Sequence, residues 1–137
     1  RDRGNVNALT EMVAEGEYRY VRERAARALR DARSSEAQRA TAVPTLLACV
    51  QSKDEVRYVR WECARALGAW GTTEAVGAVI DALDATGDPE SRYWFATALM
   101  GFDTPEARGK LQSLEDDSDL YVATIARQWA RSREVPK

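Results

Sequence analysis

One phrase occurs twice in this chain, and no other feature restricts its fold so much. "RYVRERAARAL" fills residues 19–29 and "RYVRWECARAL" residues 57–67; aligning residues 17–30 with 55–68 gives nine identities in 14 positions. A weaker copy, "SRYWFATALMG" at 91–101, places Arg92, Ala96, Ala98 and Leu99 under Arg60, Ala64, Ala66 and Leu67. A fourth, "YVATIARQWA" at 121–130, keeps Ala126 and Trp129 at the Ala64 and Leu67 positions. Successive shifts of 38, 32 and 30 residues mark a repeated supersecondary unit, which must stack on its neighbours to bury its apolar face.

The period inside each copy is helical. Val59, Cys63, Ala66, Leu67 and Trp70 recur at i, i+4, i+7, i+8 and i+11, a single stripe of a 3.6-residue helix. Between the copies lie further amphipathic segments, as in "TTEAVGAVIDALDAT", where Val76, Val79, Ile80 and Leu83 form the apolar face. Thr104 before Pro105 and Asp88 before Pro89 read as helix starts, and Gly71 and Gly101 as helix ends. Pro44 predicts a helix start or kink, because a mid-helix proline costs about 3 kcal/mol. No segment reads as a strand. The unit is therefore a helical hairpin, with repeats at about 5–33, 36–71, 73–102 and 104–132 of a single domain spanning 1–137.

Composition narrows the function. There is no histidine, which removes the usual neutral-pH general base, the commonest metal ligand and every Ser-His or Cys-His nucleophile arrangement. The expectation is a non-enzyme without a cofactor. No apolar run approaches the ~20 residues of a membrane helix, so a membrane is not expected as a partner. Cys49 and Cys63 lie in apolar segments without CxxC spacing and read as buried, inert thiols of a reducing, cytoplasmic protein. The first residue is arginine, so the chain reads as a piece of something longer. Charge is uneven: residues 72–103 hold one basic and six acidic residues. The acidic run Glu115 to Asp119 lacks the glycine and ligand spacing of a calcium loop, and reads as a solvated turn with capping acids.

"VRWECARALG" (59–68) and "DPESRYWFATAL" (88–99) resemble the V-R-x-x-A-A-x-A-L-G signature, preceded by Asp-Pro, of HEAT-like repeats of the short phycobilisome-lyase type. The resemblance covers residues 5–132, with departures at Ser91 for Val and Val122 for Arg. It implies an all-α fold: a right-handed α-α superhelix, or solenoid, of about four HEAT-like hairpins whose second helices line a concave groove. It also implies that Arg22, Arg60 and Arg92 pair with acids of neighbouring repeats as a structural ladder.

Positions near 58, 61, 62, 65 and 69 should then face away from the core. The expected partner-binding residues are Tyr20, Arg24, Arg27, Tyr58, Trp61, Arg65, Tyr93 and Trp94, since aromatic and arginine side chains dominate interface energetics. On this placement Trp61→Ala should leave the fold nearly intact. Trp129, at a Leu position, is expected in the core. The favoured function is a scaffold binding a protein or peptide. The alternatives are a bilin lyase-like factor acting on a bilin or phycobiliprotein, and a nucleic-acid-binding module, which the net charge of −2 and the pI of ≈ 5.3 disfavour.

Overall fold

The computed structural model describes residues 5–134, and among them the regular structure is entirely helical. Eight α-helices follow in order: α1 (Val6–Glu15), α2 (Arg19–Asp31), α3 (Glu36–Gln51), α4 (Arg57–Trp70), α5 (Val76–Asp84), α6 (Pro89–Leu99), α7 (Pro105–Ser113) and α8 (Leu120–Ser132). Short 3-10 turns precede α5 and follow α7. Consecutive helices pair as four hairpins, and the hairpins stack so that α2 meets α4, α4 meets α6 and α6 meets α8, while α1, α3, α5 and α7 meet in the same order. The result is an all-α solenoid with a layer of first helices and a layer of second helices.

The apolar stripe explains the stacking. Val59, Cys63, Ala64, Ala66 and Leu67 of α4 are fully buried, as are Leu29 of α2 and Phe95, Ala96 and Leu99 of α6. Small residues on these stripes let helix backbones approach closely. The extreme case is Gly68 against Gly101, where a Cβ on Gly68 would collide with the carbonyl oxygen of Ala98 and one on Gly101 with that of Gly68. Gly101 is thus a close-approach residue beyond the cap of α6, whereas Gly71 ends α4 in the left-handed conformation with φ +64°.

The capping residues act locally. Asp88 accepts from the Ser91 amide and Thr104 from the Ala107 amide, with Pro89 and Pro105 at the first helical positions. Pro44 starts no helix: α3 runs through it from Glu36 to Gln51. A Ser35–Gln38 capping box and five buried residues hold this helix, and tertiary packing of that kind overrides a local penalty.

The cysteines also depart from expectation. Cys49 of α3 and Cys63 of α4 form a disulfide, with Cα atoms 6.4 Å apart. Residues 14 apart in sequence meet because the hairpin folds their stripes face to face, a juxtaposition that apolar surroundings alone do not reveal. Trp129 is only half-buried, packing on the core with the Arg133 guanidinium over its ring.

Candidate interaction face on the second helices

The aromatic side chains of α4 and α6 form one cluster. Trp61 and Trp94 lie 6.2 Å apart between ring centroids, and Tyr93 meets Trp94 edge-on at 5.0 Å, a favoured geometry for quadrupolar rings. Two guanidiniums cover these rings: Arg57 over Trp61 at 5.4 Å and Arg65 over Trp94 at 4.9 Å. Tyr58 is partly buried against the core and interacts with Arg22 of the first hairpin, outside this ring cluster.

Ser91, a departure from the family pattern, explains how Trp61 is held. Its buried hydroxyl accepts from the Trp61 indole N–H at 2.9 Å and donates to Asp88 at 2.6 Å, while Arg57 donates to the same Asp88 oxygen at 2.7 Å. The Ser91 hydrogen bond, reinforced by Arg57, holds the Asp88 carboxyl below its ordinary value against the opposing effect of burial. Trp61 is therefore part of the joint between the second and third hairpins, and Trp61→Ala would loosen that joint as well as the face.

Glu62 does not face outward; it is buried, 7% exposed, under three arginines. Arg30 donates to one oxygen at 3.2 Å, Arg65 to the other at 3.1 Å, and Arg27 stands 3.7 Å away while bonding Glu23. Arg27 and Arg65 are thus partly committed to structure. Arg24 is exposed with no hydrogen-bond or ion-pair partner among the described residues, and Tyr20 is exposed and stacked on Tyr18 at 5.7 Å. These two lie on the first hairpin, away from the Trp61–Tyr93–Trp94 cluster on the second and third.

An open groove of ≈ 450 Å³ runs between α6 and α8, lined by Pro89, Glu90, Tyr93, Trp94, Asp119 and Tyr121. The sequence reading missed Tyr121, which sits at the Val59 position of the alignment and so looked like core; it is 73% exposed, and Val122 beside it is buried instead. Ala123, which the 32- and 30-residue shifts place at the outward Trp61 position, is buried too. Among the described residues no group of His, Cys, Asp and Glu has the arrangement of a metal site.

Sequence comparison can now be set beside this geometry. The family model for HEAT repeats matches residues 6–68 and 43–130. The chain belongs to the HEAT repeat family. No curated protein matches it in sequence.

In this HEAT array the three repeated arginines behave alike in one respect and differ in another. Each donates to a carbonyl at the end of its own first helix: Arg22 to Gly16 at 2.8 Å, Arg60 to Val50 at 2.6 and 3.0 Å, Arg92 to Leu83 at 3.4 Å. That contact answers the unpaired carbonyls of a helix C-terminus. Two of the three also reach an acid of the next hairpin. Arg22 grips Glu55 in a two-point fork at 2.8 and 2.9 Å, and Arg92 pairs with Asp117. Arg60 meets no carboxylate among the described residues; its guanidinium lies over Phe95 at 5.6 Å, and burial lowers its pKa. The acidic turn at 115–119 contributes Asp117 to this ladder and Asp119 as the cap of α8.

Proposed function

We propose that this HEAT repeat chain is a non-catalytic scaffold that binds a protein or peptide along a concave groove of second helices, centred on Trp61, Tyr93 and Trp94. Tyr121 extends that surface and Arg65 borders it, while Tyr58, Arg27, Tyr20 and Arg24 would engage a partner long enough to continue along α4 and α2 toward the first hairpin. The observation that carries the reading is the aromatic cluster on α4 and α6 opening onto the α6–α8 groove, because large ring surfaces with polar edges are what interfaces bury. HEAT arrays are commonly used in this way, and the fold supplies the extended surface.

The groove lining favours this over the alternatives. A bilin with acidic side groups, or a nucleic-acid phosphate, needs cations, and the groove presents Glu90 and Asp119 with no lysine or arginine among its lining residues. The short phycobilisome-lyase repeat type remains part of the proposal as a description of the repeat. A single domain over 1–137 with the four boundaries given above is likewise proposed.

The test is capture of partners from extract by wild type, Tyr121→Ala and Gln112→Ala, the last on the first-helix layer. Tyr121→Ala should keep the melting temperature and lose partners that Gln112→Ala retains. Equal capture by all three would contradict the reading.

The cytoplasmic placement expected from sequence meets an obstacle in the Cys49–Cys63 bond, because disulfides persist in oxidising compartments. Thiol titration of the denatured, unreduced protein should find both cysteines blocked; two reactive thiols would restore the cytoplasmic reading.

A further inference from the structure

We infer that the α6–α8 groove recognises an arginine side chain of the partner. The inference rests on the scaffold reading and names the chemistry at its centre. Three aromatic residues, Tyr93, Trp94 and Tyr121, and Pro89 line the groove, so its lining offers π surface and apolar edge. Its two remaining lining residues are both acids, Glu90 and Asp119. Rings attract a cation through their negative faces, and carboxylates supply the counter-charge, so together they form a receptor for an organic cation.

The carboxylates have capacity to spare. Asp119 accepts the Tyr121 and Val122 amides through Oδ1, at 3.0 and 3.1 Å, and among the described residues Oδ2 has no partner. Glu90 is more than half exposed and among the described residues meets only Arg57, at 3.4 Å through Oε1. That exposed contact is readily exchanged.

Arginine is favoured over lysine by what the same cluster already accepts. Trp94 and Trp61 each hold a guanidinium from α4. A planar guanidinium can stack on a ring and present its fork to a carboxylate together, which an ammonium cannot.

The probe is acetyl-Gly-Arg-Gly amide, compared with the same tripeptide carrying citrulline, a neutral near-isostere, or lysine, and followed by amide chemical shifts. The arginine peptide should move amide signals of residues 90–94 and 119–121 with a dissociation constant on the order of millimolar, as expected for one anchoring residue. Citrulline should bind about tenfold more weakly and lysine a few-fold more weakly. Glu90→Gln combined with Asp119→Asn, the latter retaining an N-cap residue, should weaken the arginine peptide by about tenfold at unchanged melting temperature.

Equal binding of citrulline, shifts confined to another face, or indifference to the double substitution overturns the inference. If the double variant fails to fold, Glu90→Gln alone with the citrulline comparison decides it. Partner capture that depends on Tyr121 while arginine recognition is absent removes this inference and leaves the scaffold standing. Capture indifferent to Tyr121→Ala removes the scaffold reading itself.

Discussion

The joint between hairpins one and two and the joint between two and three are built from the same repeated arginine, yet they are held differently. At the first, Arg22 reaches across to an acid, Glu55; at the second, Arg60 donates to the Val50 carbonyl of its own hairpin and crosses the joint only to lie over the Phe95 ring. The reason is one residue. Glu55 aligns with Gly87 in the third copy and with Asp117 in the fourth, so the acid is missing only where Arg60 would need it. Other contacts occupy that joint: Trp61 with Ser91, Arg57 with Asp88, and the Gly68–Gly101 approach. The arginine's shared duty is to close its own first helix, and the ion pair between repeats is an addition that a given copy can lack.

The largest expected effect breaks what both joints share. Leu67 is fully buried between them, and Leu67→Ala should cost about 2 to 5 kcal/mol by urea denaturation. Next comes the first joint alone. Arg22→Met strands Glu55, whose side chain is 13% exposed, and should cost about 2 kcal/mol, below the figure for a fully buried pair because water partly reaches both groups. Arg60→Met should cost about 1 kcal/mol or less. It removes a carbonyl contact but also relieves a desolvated cation, and its methylenes are replaced by apolar bulk. Equal losses for the two substitutions would erase the distinction between the joints.

How far these joints were legible in sequence follows from what repeats reveal. Identities at a fixed shift marked the hairpins, and the 3.6-residue stripe marked Val59, Cys63, Ala66 and Leu67 as core, because both are one-dimensional patterns. Glu62 looked outward by spacing; three arginines from two helices drew it inward, and no spacing within α4 records that. Cys49 met Cys63 for a similar reason, through the packing of α3 on α4. Tyr121 was hidden by the alignment itself, which put it in a core column, whereas in α8 the adjacent Val122 is buried. Trp61, Tyr93 and Trp94, chosen from sequence as interface-type side chains on successive second helices, are neighbours in the fold because those helices pack side by side.

A gain should sharpen the comparison. Gly87→Glu restores the acid in the column where Glu55 and Asp117 stand, and a Cβ at Gly87 meets nothing within 4 Å. It should stabilise the chain by about 0.5 to 1 kcal/mol through an Arg60 pair and a less flexible unfolded chain. A double-mutant cycle with Arg60→Met separates the two, since only the pair term vanishes with Arg60. A gain unchanged by Arg60→Met would place the whole effect in the unfolded state.

The smallest effect is in pH. Burial alone would raise the Glu55 carboxyl, but hydrogen bonds from Arg22 and the Val56 amide, with the Arg22 charge, outweigh it and hold the carboxyl below its ordinary value. In the range between the two values the unfolded chain binds more protons than the folded one. The pair's contribution is therefore complete above the ordinary carboxylate value and is lost as pH falls through it toward the depressed one. Urea midpoints followed from neutral pH to about pH 3 should fall less steeply for Glu55→Gln than for wild type, and more steeply for Gly87→Glu if its new carboxylate pairs with Arg60. Glu55→Gln keeps the depressed Asp88 carboxyl, so its acid loss is common to that curve and the wild-type one and cancels between them. Parallel curves for wild type and Glu55→Gln would mean that the Arg22 fork adds nothing to the first joint beyond the Gly16 carbonyl contact, and the two joints would then be equivalent.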